Sequence, residues 1–510
     1  MGLVLAAVGA LAYGPHVVDG GFYLDDWSIA ADYRFADPPR YWTVVGIQQD
    51  VLGGRPLGAL LLPLPHALFG LRPELHLAYA LALGVATSLC LFLLLRTLSL
   101  APLHAGAVAV LALLFPWSDT VRLWAIVSVS SFSVCFLLLG LVLALNGLER
   151  GGRAALAMHA GAAVLYALSV LTYEATGAVA LLAGVLYLGR APFRAVAGRW
   201  LADAAVVLAA LGYSLATTVE ERHVGSFGER ISDLGTFLHE SLLLLVSALV
   251  PVGSPGRALT GLVLLVAGLL VGGALIRCRR SDEPDLRRSL WLAAAGAVAI
   301  AATYFMFLGS NLHPKDPGIH MRINVFAGLG FSAVVYALAV TAGCLIFRSR
   351  TDAAIAALAA AALIATGYWA RVREDAAQWR RAAELQEVVL AAVGRELPRL
   401  PRKSTLLTFG FPAQAGPEVP IFDKSWDLEG AVQLQAGEPT LRAFPIYVGV
   451  VVRCRRDAVI VAGPGSYGAS RAEYGAAFFL DVARGKSTRI DSSSACRAAL
   501  RTFRPGPLRA

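Results

Sequence analysis

Apolar stretches of about twenty residues recur along this chain, separated by short loops that carry arginine. A helix needs about 20 apolar residues to cross the hydrocarbon core of a bilayer. The pattern predicts spans at approximately 3–18, 75–95, 103–117, 123–146, 154–172, 176–190, 200–218, 258–277, 289–308, 324–346 and 352–370, eleven in all. Composition agrees: 57% of residues are hydrophobic and only 15% charged. Soluble domains carry about 25% charged residues. The first stretch has the length of a signal-peptide core, but it lacks a basic leader and a small-residue cleavage site, so it is read as a retained helix.

Orientation follows from arginine. Five short loops hold Arg96, then Arg150 and Arg153, then Arg190, Arg194 and Arg199, then Arg277 to Arg288, then Arg348 and Arg350. All five share one side if the amino terminus is inside, as the positive-inside rule requires. The carboxyl terminus then lies outside. The same placement removes nucleic acid as the reason for the net charge of +9. Residues 241–252 are apolar but short, and counting them as a span would invert the loop at Arg277. They are therefore read as an interfacial or re-entrant helix on the outer side.

Two domains emerge. Residues 1–370 form an all-α polytopic membrane bundle with long outer loops at 19–74 and 219–257 and a shorter one at 309–323. Within the first loop, the apolar run Leu57 to Phe69 is broken by Pro63 and Pro65 and should lie along the surface. Residues 371–510 form a small extracytoplasmic α/β domain. It begins with an amphipathic helix over 371–396, followed by strand-like runs at Thr405–Phe411, Tyr447–Val452, Ala458–Ala462 and Ala476–Val482. Cys454 and Cys496 fall in this domain, where they either form a disulfide or stay as buried thiols. Nearly all basic residues are Arg, with Lys only at 315, 403, 424 and 486. With abundant Ala, Gly and Leu, this usage points to a GC-rich bacterial genome and a cell-membrane protein.

The residues able to do chemistry gather at outer ends of spans. Asp25 and Asp26 lie in Gly21-Phe22-Tyr23-Leu24-Asp25-Asp26-Trp27, just beyond the first span. A carboxylate there can serve as a general base toward an acceptor hydroxyl, or bind a divalent cation that neutralises a phosphate. Gly54-Arg55-Pro56-Leu57, Pro73-Glu74-Leu75-His76, Phe115-Pro116-Trp117 and Thr172-Tyr173-Glu174 follow in order. This ordered set resembles the C-type glycosyltransferase superfamily, which includes protein O-mannosyltransferases and bacterial lipid A aminoarabinose transferases. The resemblance covers about residues 1–380 in layout. It implies a polyprenyl-phosphate-linked sugar donor, inversion at the anomeric carbon, and an acidic first-loop residue as base. Which aspartate is the base stays open.

A polyprenyl phosphate needs cations near the outer interface, and the guanidinium fork suits phosphate. Arg322, Arg55 and Lys315 are the candidates, with His313 and His320 beside them. Arg322 reads equally as a helix-end anchor, and Arg55 as the partner of a local carboxylate. Glu174 is a possible site carboxylate, paired with an arginine. Asp119 and Arg122 are close enough to satisfy each other. His76 reads as a hydrogen-bonded interfacial residue. No nucleotide-binding loop and no Cys/His cluster is present, so no organic cofactor is expected and a divalent cation is the only one left open. The acceptor is a glycan, lipid or protein. The main rival is a lipid-linked-glycan transporter or flippase, which needs charged groups at mid-span. A scaffold binding a cell-wall partner is the other rival.

Overall fold

The computed structural model describes residues 1–188, 190–218, 227–251, 256–280, 283–310, 312–463 and 469–510. Among them, ten helices are long and apolar enough to cross a membrane. The sequence reading counts eleven, and the two tallies differ at three segments. Pro102–Leu114 and Glu174–Tyr187 are apolar but short. The helix Phe227–Leu249 is long enough, yet it contains the segment read as re-entrant.

Packing resolves the difference. At one end of the bundle, Arg190 reaches Glu149 at 2.5 Å and the Thr97 carbonyl at 2.8 Å, and Arg350 lies 3.6 Å from Asp285. Met1 packs against Gly106 at this end. At the other end, the His16 ring hydrogen-bonds the Leu123 carbonyl, Arg55 meets Glu174, and Asn324 meets Tyr304 and the Trp117 carbonyl. The two short helices each run from one end to the other. Phe227–Leu249 does not. Its Asp233 accepts the Gly309 N–H at 3.0 Å, and its Ala248 carbonyl accepts from Tyr368, whose ring packs on Phe115 and Trp117. Both contacts are at the second end, so this helix lies across it.

The proline-broken run of the first loop forms two six-residue helices, Pro56–Leu61 and Leu64–Phe69, at that same end. The span read at 352–370 and the amphipathic helix read at 371–396 are continuous. Arg350–Glu396 is one helix of 47 residues. It holds no proline and is rich in Ala, Arg, Glu, Gln and Leu, all strong helix formers. Its carboxyl-terminal half buries Val372, Ala376, Trp379, Ala383, Gln386 and Val393, a stripe at helical spacing.

The carboxyl-terminal domain has a four-stranded sheet in the order Arg442–Pro445, Thr405–Phe409, Ala477–Asp481, Lys486–Ile490. The first three are mutually parallel and the last is antiparallel. Of the expected strands, Tyr447–Val452 is corrected. Gly449 takes φ +106°, a Val450 N–H to Tyr447 carbonyl turn forms, and the ladder with Ala458–Ala462 starts only at Val451. Leu406, Phe478 and Leu480 face the bundle and the helix Ser425–Ala436. Leu407, Phe409 and Phe479 face a second core under a three-stranded sheet, Val451–Cys454, Ala458–Ala462 and Ala469–Glu473. A disulfide joins Cys454 to Cys496.

Candidate active site

The chain turns sharply on leaving its first helix. A Cβ at Gly20 would meet the His16 carbonyl at 2.5 Å, so only glycine fits. Tyr23 is wholly buried and donates to the Trp379 carbonyl at 2.8 Å. Leu24 then adopts φ +46°, a conformation that costs a residue with a Cβ about 1–3 kcal/mol and is held only by its surroundings. The two carboxylates that follow have different environments.

Asp26 is fully buried. Its Oδ2 accepts the Tyr23 N–H and its Oδ1 the Ile126 N–H, each at 3.0 Å. Both oxygens are occupied by backbone donors, so Asp26 clasps the first loop to segment 125–128. Burial pushes its carboxyl up to about 8, while the two N–H groups pull the other way.

Asp25 opens the helix Asp25–Phe35 and remains partly exposed. Its Oδ1 accepts from the Trp426 indole N–H at 2.9 Å. Its Oδ2 takes no hydrogen bond among the described residues. Burial raises this carboxyl above the usual aspartate value, and the Trp426 hydrogen bond, Arg322 and Lys424 oppose the rise. Asp25 is thus a partly desolvated carboxylate with one oxygen free of hydrogen bonds among the described residues, and Arg322 and Lys424 favour its ionised form.

Two elements bring those partners in. The helix Ser425–Ala436 packs on Asp25–Phe35 at Gly430, where a Cβ would meet the Trp27 carbonyl at 2.6 Å. Its start is pinned by buried Asp427, which accepts the N–H groups of Asp423 and Leu428. Lys424 Nζ lies 3.5 Å from Asp423. The turn Gly318–Ile323 carries Arg322, whose guanidinium sits 5.8 Å over the Trp124 ring. Trp124 in turn donates to the Tyr23 carbonyl at 2.9 Å. Gly318 has φ +60°, and a Cβ there would lie 2.1 Å from the Glu418 carbonyl, which also accepts the Ile319 N–H at 3.0 Å. The turn is thereby docked onto the carboxyl-terminal domain. His320 lies 3.7 Å from Glu418 and holds its carboxyl below the usual range.

The other candidates divide. Arg55 and Glu174 form a two-pronged ion pair at 2.6 and 2.7 Å. Arg55 also stacks 4.5 Å over Tyr173, which stacks in turn on Phe326, one helical turn beyond Arg322. Lys315 is exposed on its loop, where its backbone N–H meets Glu240 at 3.3 Å. His313 packs at a tilt against Phe237, and His76 hydrogen-bonds the Gly70 carbonyl. Asp119 and Arg122 do not satisfy each other. Arg122 turns instead to the Tyr13 hydroxyl at 2.8 Å and the Phe115 carbonyl. Both Asp119 oxygens are buried without a hydrogen bond, in a cavity of about 50 Å³ shared with Asp375, Arg371 and Gln378. Burial and Asp375 hold the Asp119 carboxyl well above the usual range.

Sequence reasoning missed Lys424 and Trp426. The signal available was Phe422-Asp423-Lys424-Ser425-Trp426-Asp427, a cluster holding one of only four lysines. Among the described residues, no group of three or more His, Cys, Asp or Glu is placed to hold a metal ion.

No protein-family model and no curated protein matches the chain. Among solved structures, it is similar to ArnT from Cupriavidus metallidurans bound to undecaprenyl phosphate, at 11% identity and a TM-score of 0.44. That alignment covers 86% of this chain and 84% of ArnT. It is also similar to the oligosaccharyltransferase AglB from Archaeoglobus fulgidus in complex with an inhibitory peptide and a dolichol-phosphate. The identity is 14%, the TM-score 0.44, and the alignment covers 87% of this chain and 64% of AglB.

Proposed function

We propose that this chain is an integral membrane glycosyltransferase that moves a sugar from a polyprenyl-phosphate-linked donor to an extracytoplasmic acceptor, with Asp25 as general base. The observation that carries the reading is the asymmetry between adjacent carboxylates. Asp26 spends both oxygens on backbone N–H groups, whereas Asp25 keeps Oδ2 free beside Arg322 and Lys424. The ordered first-loop motifs point the same way.

The chemistry follows from that arrangement. The acceptor hydroxyl attacks the anomeric carbon on the face opposite the lipid phosphate. Asp25 Oδ2 takes the hydroxyl proton as the new C–O bond forms. The bond to the phosphate oxygen breaks, and the lipid phosphate leaves with the electron pair. Trp426 holds Oδ1 and so aims Oδ2. Arg322 has no carboxylate within ion-pair distance among the described residues, which leaves its guanidinium to the departing phosphate. Lys424 adds a second positive charge. Arg55 and Glu174 brace the wall at Tyr173 and Phe326, and exposed Lys315 guides the anionic headgroup inward. No step is routed through a metal. The disulfide in the carboxyl-terminal domain and the basic loops at the far end of the bundle support an outward-facing site in a cell membrane. A transporter needs ionic groups along a path at mid-bundle; here the Asp25 group sits at one end.

The test compares wild type with Asp25→Asn and Asp26→Asn in membranes supplied with polyprenyl-phosphate sugars. Asp25→Asn is expected to lower transfer by about 10²–10⁴-fold with insertion intact. An Asp25→Asn enzyme that transfers sugar at the wild-type rate rejects the assignment.

A further inference from the structure

We infer that the outward layer of the carboxyl-terminal domain binds a polyanionic polymer of the cell envelope, a flexible chain bearing repeated phosphates or carboxylates. Residues 451–510 hold eleven Lys and Arg against four Asp and Glu, a net +7 within a whole-chain charge of +9. Most of the excess positive charge of a 510-residue membrane protein is thus concentrated in its last sixty residues.

The fold gathers it. Arg453, Ile460 and Arg471 are register partners across the three-stranded sheet, so the two arginines flank Ile460 on one face. The opposite face, with Val459 and Val461, closes the second core. The Cys454–Cys496 disulfide, with Cα atoms 5.9 Å apart, ties the arginine-bearing strand to the helix Ser493–Ala499, which carries Arg497 and leads to Arg501. Arg455 and Arg456 form the adjoining turn. All six arginines are exposed. Asp457 engages Arg471 at 2.8 Å, but Arg453, Arg455, Arg456, Arg497 and Arg501 have no carboxylate within ion-pair distance among the described residues.

Position selects the partner. This layer sits on the face of the central sheet turned away from the bundle, with the sheet and the helix Ser425–Ala436 in between. A lipid headgroup at the bilayer surface would meet the near face, not this one. An extended polyanion approaching from outside meets the arginines first, and their field raises its local concentration beside the Asp25 site. Guarding the edge strand Val451–Cys454 against pairing needs one or two charges, not a patch spanning two elements. The proposal rests on the reading that this domain lies outside the membrane.

Purified full-length protein in neutral detergent would be titrated with fluorescent inorganic polyphosphate and with poly-glutamate. The variant carries R453Q, R455Q, R456Q, R497Q and R501Q together. Wild type is expected to bind both polymers in a salt-sensitive manner, and the variant about tenfold or more weakly. A single Arg456→Glu substitution, with unchanged thermal unfolding, should weaken binding in the same direction. Absence of wild-type binding, equal binding by the variants, or capture of anionic phosphatidylglycerol vesicles in preference to either polymer overturns the inference. Asp25→Asn protein should bind like wild type. The readout needs no sugar transfer, so failure of the transferase reading and failure of this one are seen separately.

Discussion

Trp426 donates its indole N–H to Asp25 Oδ1 at 2.9 Å, across 401 residues of chain. The bond joins the carboxyl-terminal domain to the first loop and leaves Oδ2 without a hydrogen bond among the described residues. A hydrogen bond to a charged group contributes about 1.5–3 kcal/mol. Trp426→Phe keeps the aromatic packing and removes the donor, so kcat/KM should fall by roughly ten- to a hundredfold. Steady-state transfer assays on the purified variant check this, and an unchanged rate rejects the role given to Trp426.

Arg322 and Lys424 pull the Asp25 carboxyl down against the rise caused by burial. A base works only when ionised, so the rate is lost as pH falls through its pKa. Removing a cation lets that pKa climb. Arg322→Gln should therefore move the acid limb of the pH–rate profile to higher pH, besides weakening donor binding. A limb that stays in place, or moves to lower pH, contradicts the electrostatic coupling.

Asp26 makes its own pH signature, in stability rather than rate. Its folded carboxyl is raised to about 8 from an ordinary 3.8. The folded state therefore holds a proton that the unfolded state has already lost. The resulting stabilisation is complete below about pH 4 and disappears as pH rises toward 8. Thermal unfolding of wild type should thus lose Tm across that window more steeply than Asp26→Asn. Parallel curves for the two proteins count against it.

Gly430 lets two helices touch, since its Cβ position lies 2.6 Å from the Trp27 carbonyl. Gly430→Ala raises intrinsic helix propensity by about 1 kcal/mol yet forces the helices apart. Transfer should drop severalfold or more through displacement of Trp426 and Lys424, while the domain keeps its secondary structure by circular dichroism. Full activity in this variant means that the approach is not needed.

The bundle was legible because spans announce themselves by length and apolarity, and basic loops by arginine. The Asp25–Asp26 pair stands out in the sequence because two adjacent carboxylates beside a span are uncommon. Their different hydrogen bonding does not. It depends on Ile126 and Trp426, which lie 100 and 401 residues away. Arg122 was assigned to Asp119 by proximity in sequence, but the short helix Thr120–Leu123 directs it to Tyr13. Pairing Glu174 with an arginine was sound, because a carboxylate at the end of an apolar helix needs a cation and Arg55 is the one at that level.

The helix Arg350–Glu396 has a consequence for geometry at a distance. At about 1.5 Å per residue it is a rod of about 70 Å, more than twice the roughly 30 Å hydrocarbon core. One half lies in the bundle, while Trp379, Ala383 and Gln386 on the other half touch Tyr23, Gly21 and the Ile421 carbonyl. The distance of the Asp25–Trp426 contact from the bundle is therefore metered by a rigid gauge instead of a loop. One residue added to it would swing everything beyond through about 100° and lift it by about 1.5 Å.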